Sequence, residues 1–191
     1  MNEQQAITRM KAGDIRGLEV LVKTYQVQAV RTAYMVTQDQ AIAEDVVQAT
    51  FIRIYRKIDQ FDSGRPFKPW FMRSVVNAAV QEMRKRGRQV SLDADVPWLD
   101  GDVTFEDLLP DTELGPDDAI EQVELTEVVR EALARLTPDQ RAAVVLRYFL
   151  EMNEREMAEE LEIPAGTVKW RLHSARKRLR GLLVEQGVDY G

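Results

Sequence analysis

The 191-residue chain contains no cysteine. Disulfides, thiolate metal ligands and thiol nucleophiles are excluded, and with them a secreted fold stapled by bridges. It has 1 histidine, His173, which leaves no His-rich metal site and no two-histidine mechanism. No apolar run approaches the ~20 residues of a membrane-spanning helix. The start, Met1-Asn2-Glu3-Gln4-Gln5, is polar and lacks a signal-peptide core. Carboxylates are abundant, but no histidine, cysteine or Gly-rich phosphate loop stands beside them. These absences argue against a hydrolase or redox enzyme. The expectation is a soluble cytoplasmic protein with no catalytic residue, metal, cofactor, small-molecule substrate or membrane insertion.

What is present is charge, unevenly placed. The formal net charge of −6 argues, as a total, against a nucleic-acid partner. Residues 1–88 hold 15 basic and 9 acidic side chains, net +6, and residues 130–191 hold 11 and 10, net +1. Residues 89–129 hold 13 acidic side chains and no basic one. Segregation of this size is a clue to function. Gln89–Asp118 also carries 3 prolines and 2 glycines with little apolar periodicity beyond a short helical turn near Phe105–Leu109. It reads as a linker. The predicted organisation is an N-terminal domain at 1–88, an acidic flexible linker at 89–118 and a C-terminal domain at 119–191.

Both domains read as all-α, with no strand pattern and no internal repeat. Asp14 is the expected cap of a helix running to about Val36, with Leu18, Leu21, Val22, Tyr25, Val30 and Ala33 on one stripe. Asp39 caps the next, which buries Ala43, Val46, Val47, Phe51, Ile54, Tyr55 and Ile58. Asp62-Ser63-Gly64-Arg65-Pro66 breaks the pattern. A further helix starts near Pro66–Pro69, carries Trp70, Phe71, Val75, Ala78, Ala79 and Met83, and stops at Gly87 behind a basic last turn. Trp70 shares a face with Phe71 or Phe67, which favours core over a stacking platform. The C-terminal domain opens with a helix from Pro116 or Asp117 to Arg135. Thr137, Pro138 and Gln140 then mark a helix start, and that helix runs to about Leu150. Asn153 and Glu156 cap a short helix at 154–161. After Ile163-Pro164-Ala165-Gly166, Thr167 is expected to cap a last helix to about Leu183.

A short helix, a tight turn and a second helix form the helix-turn-helix plan of DNA-binding proteins. Met157, Ala158 and Leu161 face inward, Ile163 plugs the turn, and Val168 and Leu172 face back. Residues 151–162 carry 6 Glu and 1 Arg, whereas residues 166–182 carry 6 Lys or Arg and no acid. Such a basic helix suits the major groove, where Arg and Lys meet phosphates or guanine edges. Thr167, Lys169, Trp170, Arg171 and His173 at its start are candidate base contacts. Arg176, Lys177 and Arg180 extend the basic face.

In the N-terminal domain, Ala43-Glu44-Asp45-Val46-Val47-Gln48-Ala49-Thr50-Phe51 is followed by Phe61, Phe67-Lys68-Pro69-Trp70-Phe71 and Val76-Asn77. Together with Leu136-Thr137-Pro138-Asp139-Gln140-Arg141 and the helix-turn-helix, this resembles the bacterial extracytoplasmic-function sigma factors. These are the two-domain members of the major sigma family. The resemblance covers nearly the whole chain, with the motifs in family order. It implies a specificity subunit of RNA polymerase that reads the −35 element with helix 167–180 and recognises and melts the −10 element with 62–88.

The likeness implies roles by position. Glu44, Asp45, Gln48 and Phe51 match the surface that docks on the clamp helices of the polymerase largest subunit, and the C-terminal domain would meet the flap region. Arg65, Lys68, Asn77, Arg84, Lys85, Arg86 and Arg88 match the element that opens −10 DNA and captures a flipped base. Pro66, Pro69 and Glu82 depart from the family pattern there. The linker would thread the basic cleft of polymerase as a mimic of nascent RNA, and could cover the basic helix in the free protein. An anti-sigma protein is implied as a further partner. The rival readings are a self-sufficient helix-turn-helix regulator, which needs a dimer interface or ligand pocket, and a sigma-like decoy, which needs no basic last helix.

Overall fold

The computed structural model describes residues 2–87 and 130–185, with side chains through 182. The linker 89–118, Arg88, the turn at Phe105–Leu109 and the helix expected from Pro116 or Asp117 as far as 129 lie outside the described residues. Among those described there is no strand. The N-terminal half comprises α1 (Glu3–Lys11), α2 (Arg16–Thr37), α3 (Gln40–Arg56), a 3₁₀ turn at Ile58–Gln60 and α4 (Phe67–Gly87). The C-terminal half comprises a helical stretch at 130–134, α5 (Pro138–Val144), α6 (Glu154–Leu161) and α7 (Ala165–Glu185). The all-α, two-part class expected from the sequence is what the chain forms.

Helix α1 is an addition to the sequence reading. Asn2 and Gln5 form a capping box: Asn2 Oδ1 accepts from the Gln5 amide at 2.9 Å and Gln5 Oε1 accepts from the Asn2 amide at 3.1 Å. Ala6, Ile7 and Met10 are buried, three and four residues apart as one helical face requires. Helix α2 crosses them at Gly17, where a Cβ would stand 2.3 Å from the Ala6 carbonyl oxygen. Asp14 does not cap α2, which begins after Ile15 without a side-chain cap. It accepts instead from the Arg16 amide at 3.0 Å and the Arg16 guanidinium at 2.9 Å. Those hydrogen bonds hold its carboxyl below the usual value.

Asp39 caps α3 as expected, its Oδ1 2.9 Å from the Ile42 amide. Helices α2, α3 and α4 close over an aromatic core. The Phe51 and Phe71 rings lie 4.5 Å apart, Phe67 and Phe71 stack at 5.7 Å, and Phe61 meets Phe67 edge-on at 5.5 Å. Trp70 is half-buried against Phe61 at 4.7 Å, so it belongs to this cluster.

In the C-terminal half, Thr137 and Gln140 form the expected capping box with Pro138 in the first turn. The helix does not run evenly to Leu150. After Val144 the chain widens into one π-type turn, Val145–Phe149, and the Leu150 amide reaches the Val145 carbonyl at 3.1 Å. The two halves share a core: Val36, Val46, Val76, Ala79 and Val80 pack with Ala142, Ala143, Val145, Leu146, Met157, Leu161, Val168 and Leu172.

Candidate nucleic-acid interface

The helix-turn-helix forms as the sequence reading expects over 154–161. Asn153 and Glu156 make the capping box. Met157, Leu161, Val168 and Leu172 are buried, with Ala158 and Ile163 half-buried beside them. Glu162 ends α6 in the left-handed conformation, φ 54°, and the Ile163 amide bonds back to Ala158 O at 3.1 Å. Helix α7 starts three residues earlier than a Thr167 cap would place it, at Ala165, so Thr167 lies in its first turn rather than at its cap. The amides of Thr167 and Val168 both reach the Pro164 carbonyl.

The basic face of α7 is only partly turned outward. Lys169, Lys177 and Arg180 are exposed, and so is Arg178, which sequence reasoning left out of the contact set. Thr167, Trp170, His173 and Arg176 are half-buried. Lys169 Nζ lies 3.8 Å from Glu154 across the motif. The Arg171 side chain is 12% exposed and turns inward, its Nη1 3.3 Å from Asp139 Oδ1. Gln140 Nε2 donates to Ser174 Oγ at 2.8 Å and braces α7 on α5.

In the N-terminal half, Glu44, Asp45 and Gln48 share the exposed side of α3, with Gln40 donating to Glu44 at 2.6 Å. Phe51, almost two full turns beyond Glu44, is 4% exposed and closes against Phe71 in the aromatic core, so it borders this surface as a buried residue. Loop 62–66 is set by Asp62, whose Oδ1 accepts from the Gly64 amide at 2.9 Å and whose carbonyl accepts from the Arg65 amide at 3.0 Å. Arg65 and Lys68 are exposed at its rim. Along α4, Lys85 and Arg86 are exposed and Glu82 lies 4.0 and 2.8 Å from them.

Asn77 and Arg84 have partners in the C-terminal half. Asn77 Nδ2 donates to the Glu160 carbonyl at 2.9 Å and to Glu160 Oε1 at 2.5 Å. Arg84 donates to Asp139 Oδ1 at 2.7 Å. Burial pushes the Glu160 carboxyl above its usual value, opposed by Arg73 and by the Asn77 hydrogen bond. Arg141, 5% exposed, crosses the same boundary and donates to Val36 O and Leu136 O, both at 2.6 Å. Val36 O belongs to the open C-terminal end of α2, where a cation is favoured. Burial lowers Arg141 to about 10, so it stays charged at neutral pH. No spacing signal in the sequence pairs these positions; the docking of α5 and α6 on α4 does.

A helix-turn-helix with a basic recognition helix, joined to a second helical unit with a basic C-terminal rim, defines a two-part DNA-binding transcription protein. Residues 21–89 match Sigma-70 region 2, and residues 126–179 match Sigma-70, region 4. The ECF RNA polymerase sigma factor SigW of Bacillus subtilis is 33% identical over 177 residues, 93% of this chain and 94% of that one. The RNA polymerase sigma-H factor of Pseudomonas aeruginosa is 30% identical over 185 residues, 93% and 91% of the two chains. Among solved structures, the sigma factor RpoE of Bartonella quintana, in complex with the anti-sigma factor NepR, superposes with a TM-score of 0.57 at 27% identity, over 90% of this chain and 97% of that one. The chain belongs to the extracytoplasmic-function sigma factors and serves promoter-specific initiation of transcription.

Proposed function

We propose that this chain acts in the cytoplasm as a non-catalytic subunit, leaving phosphoryl transfer to core polymerase, with duties divided along the boundaries 1–88, 89–118 and 119–191. The observation that carries the reading is the charge split across the helix-turn-helix, an acidic α6 against an α7 with 6 Lys or Arg. Lys169, Lys177 and Arg180 project from α7 to the −35 duplex, with Thr167, Trp170, His173 and Arg176 beside them. Arg178 adds a phosphate contact. Arg65, Lys68, Asn77, Arg84, Lys85 and Arg86, with Arg88 beyond the described residues, serve the −10 strand. Glu44, Asp45 and Gln48 offer an acidic and amide surface to the clamp helices, held in place by buried Phe51. An anti-sigma protein is a partner suited to the apolar groove of about 790 Å³ between the halves, where Val27 and Phe149 are exposed.

Transcription from a cognate promoter by purified core polymerase, with and without the chain, tests the reading. The expected result is initiation only when the chain is present. Operator-like duplex binding at nanomolar affinity without core, and no initiation with it, would overturn the proposal.

A further inference from the structure

The two halves are closed on one another through groups assigned above to DNA. Val76, Ala79 and Val80 of α4 are buried against the C-terminal half, and two polar pairs flank this contact. Asn77 is held by Glu160, and Arg84 by Asp139. Asp139 also takes Arg171, so one carboxylate gathers a cation from each half. A carboxylate offers a guanidinium the same acceptor geometry as a phosphate. The oxygens of Glu160 offer the Asn77 amide what a base edge would offer. The acidic groups of α5 and α6 thus stand where nucleic acid would stand on α4.

This arrangement is incompatible with reading a promoter. Elements centred at −35 and −10 lie about 25 base pairs apart, ~85 Å at 3.4 Å per step. Here α4 and the helix-turn-helix touch at hydrogen-bond distance. The chain must open to work.

We propose that Asp139 and Glu160 form an autoinhibitory latch. They occupy Asn77 and Arg84 in the free chain and release them when core polymerase draws the halves apart. The proposal rests on the −10 assignment of α4, but the latch can be measured without polymerase. Because the natural chain has no cysteine, a pair introduced at exposed Gln60 and Arg178 takes spin labels at those sites alone.

The inter-label distance distribution of the full chain should hold one short population. In the double variant Asp139→Ala/Glu160→Ala, which removes both side-chain acceptors, it should shift towards long distances, with the open-to-closed ratio raised about tenfold. Affinity of the same free variant, without labels, for single-stranded −10 DNA should rise by a similar factor, while promoter-directed initiation with saturating core is unchanged. Unchanged distances and unchanged DNA affinity would overturn the latch. Opening without a gain in DNA affinity would overturn the inhibitory role. Loss of initiation in the parent chain would instead count against the functional reading. If helical circular dichroism shows the double variant unfolded, the two single variants carry the test, each with the same expected direction.

Discussion

Gly17 is the position where a single methyl group decides most. In a helix, Gly to Ala ordinarily gains about 1 kcal/mol. Here the added Cβ would lie 2.3 Å from Ala6 O and 2.8 Å from Met10 Cγ. The first contact is backbone and cannot swing aside, so α1 must lift off α2. Overpacking of this kind costs about 1–3 kcal/mol, and set against that gain the net expectation is destabilisation by up to about 2 kcal/mol, read as a lowered thermal midpoint. On α7, Lys169→Ala is expected to weaken −35 binding by about 1–3 kcal/mol if Lys169 meets a base edge, and equally on all sequences if it meets a phosphate. Titration against cognate and scrambled duplexes distinguishes the two. The residue scale also shows where a sequence misleads. Periodicity places Val46 and Phe51 on a buried face, and both are buried. It cannot say that Phe51 joins the aromatic core while Val46 joins the core shared between halves, because burial against a distant segment leaves no mark in local spacing. Arg171 is the same case in reverse: a basic residue near the start of a recognition helix that turns to Asp139 instead.

At the scale of elements, the chain was most legible where a capping pair and an apolar stripe coincide. Asp39, Thr137 and Asn153 each accept from a backbone amide in the first turn of the helix they precede. Asn2 with Gln5 is the same signal, and α1 could have been read from it together with Ala6, Ile7 and Met10. The wide turn at Val145–Phe149 had no such signal, since an apolar run fits a wide turn as well as an even helix. Docking of α6 on α4 is likewise invisible in sequence, and it makes a pH prediction. Glu160 keeps its proton to higher pH in the folded chain than in the unfolded one, through burial, with Arg73 and the Asn77 amide opposing. The folded state therefore binds more protons over the window that opens near the usual 4.5 and extends above it. Stability should fall as pH rises through that window and level off beyond it. Thermal melts at stepped pH should show this slope in the parent chain and lose it in Glu160→Gln; an identical slope in both would assign the effect to other groups.

For the whole molecule, the net charge of −6 is a sum over parts with different duties. The halves that meet DNA are net basic, and the acid lies in residues 89–129. The same partition that made two domains and a linker readable hid their closure, because Asp139 and Glu160 are two acids among many until α4 stands opposite them. Closure and promoter reading make opposite demands on the connection. Closed, the halves touch, and a short connection would serve. Open, they must straddle ~85 Å of DNA. The 42 residues between Gly87 and Arg130 reach about 140 Å when fully extended, which suffices for both states. Deleting residues 89–118 would leave 12 connecting residues and about 40 Å. The shortened chain is expected to keep its closed form and its −35 duplex affinity after latch removal. With core polymerase it should fail on promoters carrying both elements at ordinary spacing, while a graded series of shorter deletions restores initiation once the reach exceeds the gap left by the domains themselves. Initiation that stays constant across that series would mean that the two halves never bridge the elements together, and would separate −35 binding from −10 opening as independent events.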